Sequence, residues 1–343
     1  MRGPVLSLVL PIFNEEAVIQ ELHARLQEFL PKLGVDTEVV FVDDGSRDRS
    51  LELLRGIAAN EPRYRILSFA RNFGHQAAIT AGIDHARGQA VVVMDADLQD
   101  PPEVVLEMVA KWREGFDVVY GRRRSRQGET RLKLLTAKWF YRIFARMIPI
   151  EVPLDTGDFR LMSRRIVVVL RELRETHRFI RGLVAWLGFK QTAVLYDRPV
   201  RFAGETKYPF GKMLRFAIDG ITSFSILPLR FATYLGMLIS TLSVAVAIWA
   251  VVARFVFHAT VPGWSTVVVL VSLLAAVQLI MTGVLGEYIG RIYEQVKRRP
   301  IYVVAELVNF AEEAANDSPE EGKTGRWRDG GRAAEIAPVS ARR

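Results

Sequence analysis

The chain of 343 residues has no cysteine, which excludes a disulfide framework and any cysteine-based metal site and suits a reducing compartment. No G-x-G-x-x-G follows its first apolar run and no Walker A loop occurs, so neither a dinucleotide fingerprint nor a P-loop accounts for phosphate binding. The apolar start, Val5 to Leu10 behind Arg2, has no small-residue cleavage site and runs straight into Pro11-Ile12-Phe13-Asn14-Glu15-Glu16. It therefore reads as a first strand, not a secretory signal, and leaves the N-terminal domain in the cytoplasm. The net charge of +8 admits nucleic acid, anionic lipid or a phosphorylated substrate as partner. No nucleic-acid-binding signature is present, which argues against the first.

What is there is alternation. Between residues 5 and 120, short apolar runs near 5–10, 37–42, 65–69, 90–94 and 116–120 alternate with helical patterns near 16–29, 49–59, 75–86 and 102–114. That pattern predicts an α/β domain, a Rossmann-like, mostly parallel sheet covered by helices. The run Val91-Val92-Val93-Met94 reads as a strand buried on both faces. It stops in Asp95-Ala96-Asp97-Leu98-Gln99-Asp100, and Pro101-Pro102 is expected to open a helix. Asp95 and Asp97, two apart on a near-extended backbone, can face the same side, and Gln99 continues the alternation. Ligands of open α/β sheets bind beyond the carboxyl ends of strands. Two carboxylates there suit Mg²⁺ or Mn²⁺ carrying a substrate phosphate; an isolated pair also fits a solvated acidic turn. In Asp43-Asp44-Gly45-Ser46, a turn and a helix cap at Ser46 or Asp48 would use one acid, not two.

Pro11-Ile12-Phe13-Asn14-Glu15-Glu16, Val42-Asp43-Asp44-Gly45-Ser46, Arg71-Asn72-Phe73-Gly74 and Asp95-Ala96-Asp97-Leu98-Gln99-Asp100-Pro101 together resemble the family 2 glycosyltransferases of GT-A fold. Within them, the chain looks like the polyprenyl-phosphate glycosyltransferases, the branch of dolichol-phosphate mannose synthase and the bactoprenol glucosyltransferases. The likeness continues through Thr156-Gly157-Asp158-Phe159-Arg160-Leu161-Met162, Gly220 to Ser225 and Gly286-Glu287-Tyr288-Ile289-Gly290-Arg291. It covers roughly 5–305, and the order and spacing of the motifs make it specific.

The second half of the chain carries membrane signals. Phe231 to Ala253 and Ser265 to Leu285 hold no charged residue, and each exceeds the ~20 residues that cross a bilayer core. A short connection makes them a transmembrane hairpin. Arg230 before it and Arg291, Lys297, Arg298 and Arg299 after it place the flanks and the catalytic domain on the cytoplasmic side of the inner membrane. Segment 131–148, with Leu132, Leu135, Trp139, Phe140, Ile143, Phe144 and Met147 at helical spacing among arginines, reads as an interfacial amphipathic helix; an ordinary core-facing helix would show a similar pattern. Segment 210–226 is a weaker second candidate. The expected division is thus a glycosyltransferase domain over 1–228, the hairpin over 229–290, a juxtamembrane segment over 291–310 and a disordered tail over 311–343.

The expected activity is metal-dependent transfer of a sugar from a nucleotide sugar to a polyprenyl phosphate such as undecaprenyl phosphate. Asp95 and Asp97, with Gln99 as a third ligand, would hold the metal against the departing diphosphate. The resemblance implies that Pro11, Phe13, Glu15, Asp43 and Asp44 line the nucleotide site, that the anomeric carbon inverts, and that some members are tetramers. It also makes UDP-glucose the default donor and matches Lys207 and Tyr208 to a mobile acceptor-side loop. Arg122, Arg131 and Arg201 could balance the acceptor phosphate, and Asp158 is the acid for orienting the acceptor or acting as base. A processive polysaccharide synthase is disfavoured because no Gln-x-x-Arg-Trp occurs. A non-catalytic nucleotide-sugar-binding subunit is disfavoured by the intact acids.

Overall fold

In a computed structural model of the chain, the described residues are 4–124, 156–197, 227–256, 263–310, 328–329 and 332–333. They fall into two compact units, one built on a sheet and one on two long helices. In the first, the apolar runs form β1 (Leu6–Ile12), β2 (Thr37–Asp43) and β3 (Tyr64–Phe69), buried at every position. Continuous burial is what strands covered on both faces require. Between them lie α1 (Ile19–Phe29) and α2 (Ser50–Ala58). Ile19, Leu22, Leu26 and Phe29 give α1 one apolar stripe against the sheet. The chain continues through α3 (His75–His85), β4 (Ala90–Val93), α4 (Val104–Arg113) and β5 (Val118–Arg123). Then come β6 (Thr156–Ser163), α5 (Arg164–Glu172), α6 (Ile180–Trp186) and β7 (Gln191–Tyr196). Every strand and helix expected up to residue 123 is present, with ends shifted by a few residues. One correction concerns α4, which starts at Val104 behind Glu103 and not at Pro101-Pro102.

Strand order is β7-β5-β6-β4-β1-β2-β3-β8, where β8 (Val304–Val308) comes from far down the chain. The inner strands β4, β1, β2 and β3 are mutually parallel, while β6 and β8 run antiparallel to their neighbours. This is the mostly parallel sheet expected. The order reverses at β1, which sends one connection to β2 and receives β4 on its other side. Such a switch point opens a crevice at the carboxyl ends. Because β6 is antiparallel and pairs Arg160 with Val93, its first residues lie just beyond the end of β4. That register brings Asp158 beside the Asp95 turn, although 63 positions of sequence separate them.

The segment read as juxtamembrane, 291–310, supplies β8. Glu306 forms an ion pair with Arg55, and Asn309 donates to the carbonyls of Ala58 (2.9 Å) and Tyr64 (2.7 Å). Of the tail expected to be disordered, Arg328–Asp329 and Arg332–Ala333 form a short antiparallel ladder.

The second unit contains α7 (Leu227–Phe255) and α8 (Trp264–Val296). At 29 and 33 residues both exceed the length of a bilayer crossing. They touch near Gly236 and Met281. Their apolar residues Phe231, Leu238, Leu242, Leu279 and Ile280 are all exposed. The candidate spans, Leu227–Val246 and Val269–Val296, have mean hydropathies of 1.5 and 2.2 and no share buried inside the chain. A core helix of a soluble protein would be covered, so these helices mark a membrane-associated chain. The expected interfacial helices, 131–148 and 210–226, lie outside the described residues.

Candidate active site

The strand ends build the site. The Met94 N–H still donates to the Val9 carbonyl at 3.0 Å, and there the extended path stops. The chain turns at Ala96-Asp97, and Leu98 takes φ 60°, a left-handed conformation that a branched side chain adopts only when its surroundings impose it. The Gln99 N–H closes the turn onto Asp97 Oδ1 at 3.1 Å. The near-extended alternation expected from Asp95 through Gln99 is therefore corrected: a turn, not a strand, presents these side chains. Asp97 is buried, whereas the Asp95 carboxylate is about one-third exposed (32%). Asp100, also buried, accepts from the Asp95 N–H (3.4 Å) and from the Tyr196 hydroxyl (2.9 Å). Tyr196 on β7 thus ties the loop to the far side of the sheet. Tyr196→Phe leaves a buried acceptor with one partner fewer and should lower stability by about 1–3 kcal/mol. Thermal unfolding with and without the substitution measures this.

Opposite the turn, Asp158 sits at the start of β6 with a 5% exposed side chain. Arg181, from the first turn of α6, grips it with two bonds, Nε to Oδ1 at 2.7 Å and Nη2 to Oδ2 at 3.0 Å. Arg181 also donates through Nη1 to the Thr156 carbonyl at 3.0 Å. Two residues at the head of α3 complete the cluster. Gln76 donates Nε2 to Asp158 Oδ2 at 3.2 Å, and His75 Nε2 lies 3.3 Å from Asp158 and 3.6 Å from Asp95. Burial pushes the Asp158 pKa up, but Arg181 and His75 outweigh it and hold the carboxyl well below the usual range. Burial alone would lower the His75 pKa; the hydrogen bond to Asp158 and the Asp95 charge reverse this and raise it. The Asp95 pKa is raised, by burial first; His75 opposes the rise, and the charges of Asp158 and Asp97 add to it.

On the β2 side, Asp43 and Asp44 are buried and their oxygens are engaged. Asp43 accepts from Ser46 N–H (3.2 Å) and Ser68 Oγ (2.8 Å). Asp44 accepts from Phe73 N–H (2.6 Å), Gly74 N–H (2.9 Å) and Asn72 Nδ2 (2.9 Å). It therefore nails down the loop that leads into α3. Gly45, between them and Ser46, has φ +66°, and an added Cβ would lie 2.5 Å from the Arg71 carbonyl carbon. Only glycine fits there. The helix cap expected of Ser46 or Asp48 is not formed by either: Arg49 is the N-cap of α2 and has no side-chain cap bond, while Asp48, one residue earlier, accepts the Ser50 N–H on Oδ1 at 3.0 Å. Pro11 is buried at the end of β1, Phe13 is exposed (43%), and Glu15 N–H donates to Ser50 Oγ at 2.9 Å.

Arg122 is exposed on β5, opposite Thr156 in register. Arg131, Arg201, Lys207 and Tyr208 lie outside the described residues. The structure thus brings together Asp95, Asp97 and Asp158 near the ends of β4 and β6, with Asp43 and Asp44 at the end of β2. Sequence reasoning misses His75, Gln76, Asp100, Arg181 and Tyr196 as members of this cluster. His75 and Gln76 directly follow the Arg71-Asn72-Phe73-Gly74 motif at a helix start, which was the available signal.

Among the described residues no three His, Asp or Glu side chains converge into a cage for an ion. The donor set nevertheless fits a divalent cation. Asp95 and Asp97 offer hard oxygens, and their mutual repulsion is a charge excess that a cation would relieve. Mg²⁺ and Mn²⁺ commonly take one or two carboxylates and fill the remaining positions with water and substrate phosphates.

Residues 7–170 match the model of the family described as Glycosyl transferase family 2. An uncharacterised glycosyltransferase of Bacillus subtilis is 50% identical over 87% of this chain and 92% of its own length. An uncharacterised glycosyltransferase of Synechocystis is 49% identical over 88% of this chain and 95% of its own. A prophage-derived bactoprenol glucosyl transferase of Shigella flexneri is 41% identical over 87% and 97%. The family model and the named relatives, on this mostly parallel α/β sheet, mark a sugar-transferring enzyme of the GT-A type. The chain belongs to glycosyl transferase family 2.

Proposed function

We propose that this glycosyltransferase moves a sugar from a nucleotide sugar, with UDP-glucose the first candidate, to a polyprenyl phosphate such as undecaprenyl phosphate. The observation that carries the reading is the opposition of Asp95 and Asp158 across His75 in a chain whose two long apolar helices leave their side chains uncovered. The Shigella relative, whose name is bactoprenol glucosyl transferase and which is matched over 97% of its length, supports the lipid acceptor. Arg230, Arg291, Lys297, Arg298 and Arg299 flank the helices on one side, which favours a multi-pass hairpin with the sheet domain at the cytoplasmic face of the inner membrane.

Asp95 and Asp97, with Gln99, would hold Mg²⁺ or Mn²⁺. When bound, the ion offsets the charge that builds on the leaving diphosphate. Pro11, Phe13, Glu15, Asp43 and Asp44 form the nucleotide side, Asp44 by fixing the Arg71–Gly74 loop. Arg122, with Arg131, Arg201 and Lys207, would balance the acceptor phosphate. An oxygen of that phosphate attacks the anomeric carbon, the bond to the nucleoside diphosphate breaks, and the configuration inverts. A phosphomonoester has a second pKa of about 6 and is largely ionised at pH 7, so it has little need of a base. The depressed pKa of Asp158 makes it a poor proton acceptor and favours its role in orienting the acceptor side.

The test is a panel of nucleotide sugars with the full-length protein in nanodiscs and undecaprenyl phosphate. Glucose transfer from UDP-glucose should exceed the others, stop in EDTA and return with Mg²⁺ or Mn²⁺. Undiminished transfer in EDTA removes the metal from the account; preference for a GDP-sugar replaces the donor.

A further inference from the structure

Gln76 completes the cluster around Asp158, and its side chain uses both ends of its amide. Nε2 donates to Asp158 Oδ2 at 3.2 Å, and Oε1 accepts the Ile180 N–H at 3.0 Å. Ile180 is the first residue of α6, and its neighbour Arg181 grips the same Asp158. A ring closes: Gln76 to Asp158, Asp158 to Arg181, Arg181 along the backbone to Ile180, and Ile180 back to Gln76. The amide orientation follows from the partners, since a backbone N–H needs the oxygen and a carboxylate needs the NH₂. The ring joins three elements, α3, β6 and α6, that no short stretch of chain connects.

We propose that Gln76 is a positioning residue for transfer: it sets the rotation of the Asp158 carboxylate and fixes the start of α6 so that Arg181 meets it in two-pronged register. The inference rests on the reading of Asp158 as an acceptor-side group and adds the device that aims it. Aim matters because misplacement near 1 Å at a reacting centre can cost about 10²-fold in rate.

Two substitutions separate aiming from general packing. Gln76→Glu keeps an oxygen for the Ile180 N–H but sets a carboxylate against Asp158. Gln76→Ala removes both bonds without adding charge. If Gln76 aims Asp158, kcat falls in the order wild type, Gln76→Ala, Gln76→Glu, with the last down about 10²-fold. UDP affinity in the presence of Mn²⁺, read by calorimetry, stays at the wild-type value, because the donor side is untouched. If Gln76 only braces α6, Gln76→Ala is the worse variant, and that order overturns the proposal, as does a wild-type kcat in Gln76→Glu. Should Gln76→Glu not fold, Gln76→Ala decides alone: kcat must drop about tenfold or more at unchanged UDP affinity, and an unchanged kcat overturns the idea. Wild-type transfer to undecaprenyl phosphate, measured in the same assay, tests the parent reading separately.

Discussion

Asp97→Asn should abolish most transfer while leaving the fold intact. Asparagine keeps the Oδ1 that accepts the Gln99 N–H at 3.1 Å, so the turn through Leu98 survives. On the proposed metal role, what disappears is one of the two carboxylate charges offered to the cation. Losing one preorganised electrostatic contact to a leaving group costs about 10²–10³ in rate. The expected result is an unchanged melting temperature in EDTA, a raised Mn²⁺ requirement, and kcat down by that factor. Asp95→Asn makes an instructive partner. The folded Asp95 pKa is raised by burial and by its acidic neighbours, so at neutral pH its ionised form works against the fold. Neutral asparagine should then melt at the same or a higher temperature while transfer is lost equally. Full activity in either variant contradicts the assignment of the pair.

Arg181→Ala should have the largest effect on the molecule as a whole. It strips two hydrogen bonds and a charge from a carboxylate that is almost fully buried. Breaking a buried ion pair by removing one partner destabilises by about 3–5 kcal/mol, because the remaining charge stays in a poor medium. Turnover should collapse as well, since Asp158 loses the fork that sets its geometry. The sign of the pH dependence follows from the depressed folded pKa of Asp158. Its contribution is present above the unfolded value of about 3.9 and is lost as pH falls through the folded pKa. The wild type therefore loses this stabilisation in acid, and the gap between wild type and Arg181→Ala should narrow there. Arg181→Lys should restore charge but not the two-pronged fit, recovering part of the stability and less of the rate. Denaturant unfolding at neutral and acid pH, run beside turnover, checks both statements.

The parallel core was legible because its cause is local. β-Branched apolar runs that stop in carboxylates announce a buried strand and place Asp95, Asp97, Asp43 and Asp44 at or just beyond strand ends. The turn was not legible: nothing in Asp95-Ala96-Asp97-Leu98-Gln99 signals that Leu98 takes a positive φ, since no glycine or asparagine stands there. The partners of Asp158 were hidden by distance along the chain. Arg181 lies 23 residues away and Gln76 lies 82 away, and only the register of β6 against β4 brings them together. The return of Val304–Val308 to the sheet edge was hidden for the same reason. Its ion pair spans 251 residues, and a short apolar run after a basic stretch reads as juxtamembrane chain until its partner strand is known.

The central claim is that the sugar goes to a lipid phosphate. The most direct measurement is UDP release from UDP-glucose by the full-length protein in nanodiscs, with and without undecaprenyl phosphate, alongside mass spectrometry of the extracted lipid. The account predicts that release depends on the lipid and that the lipid gains one hexose for each UDP formed. UDP release at the same rate without the lipid, or hexose appearing only in water-soluble products, would contradict it.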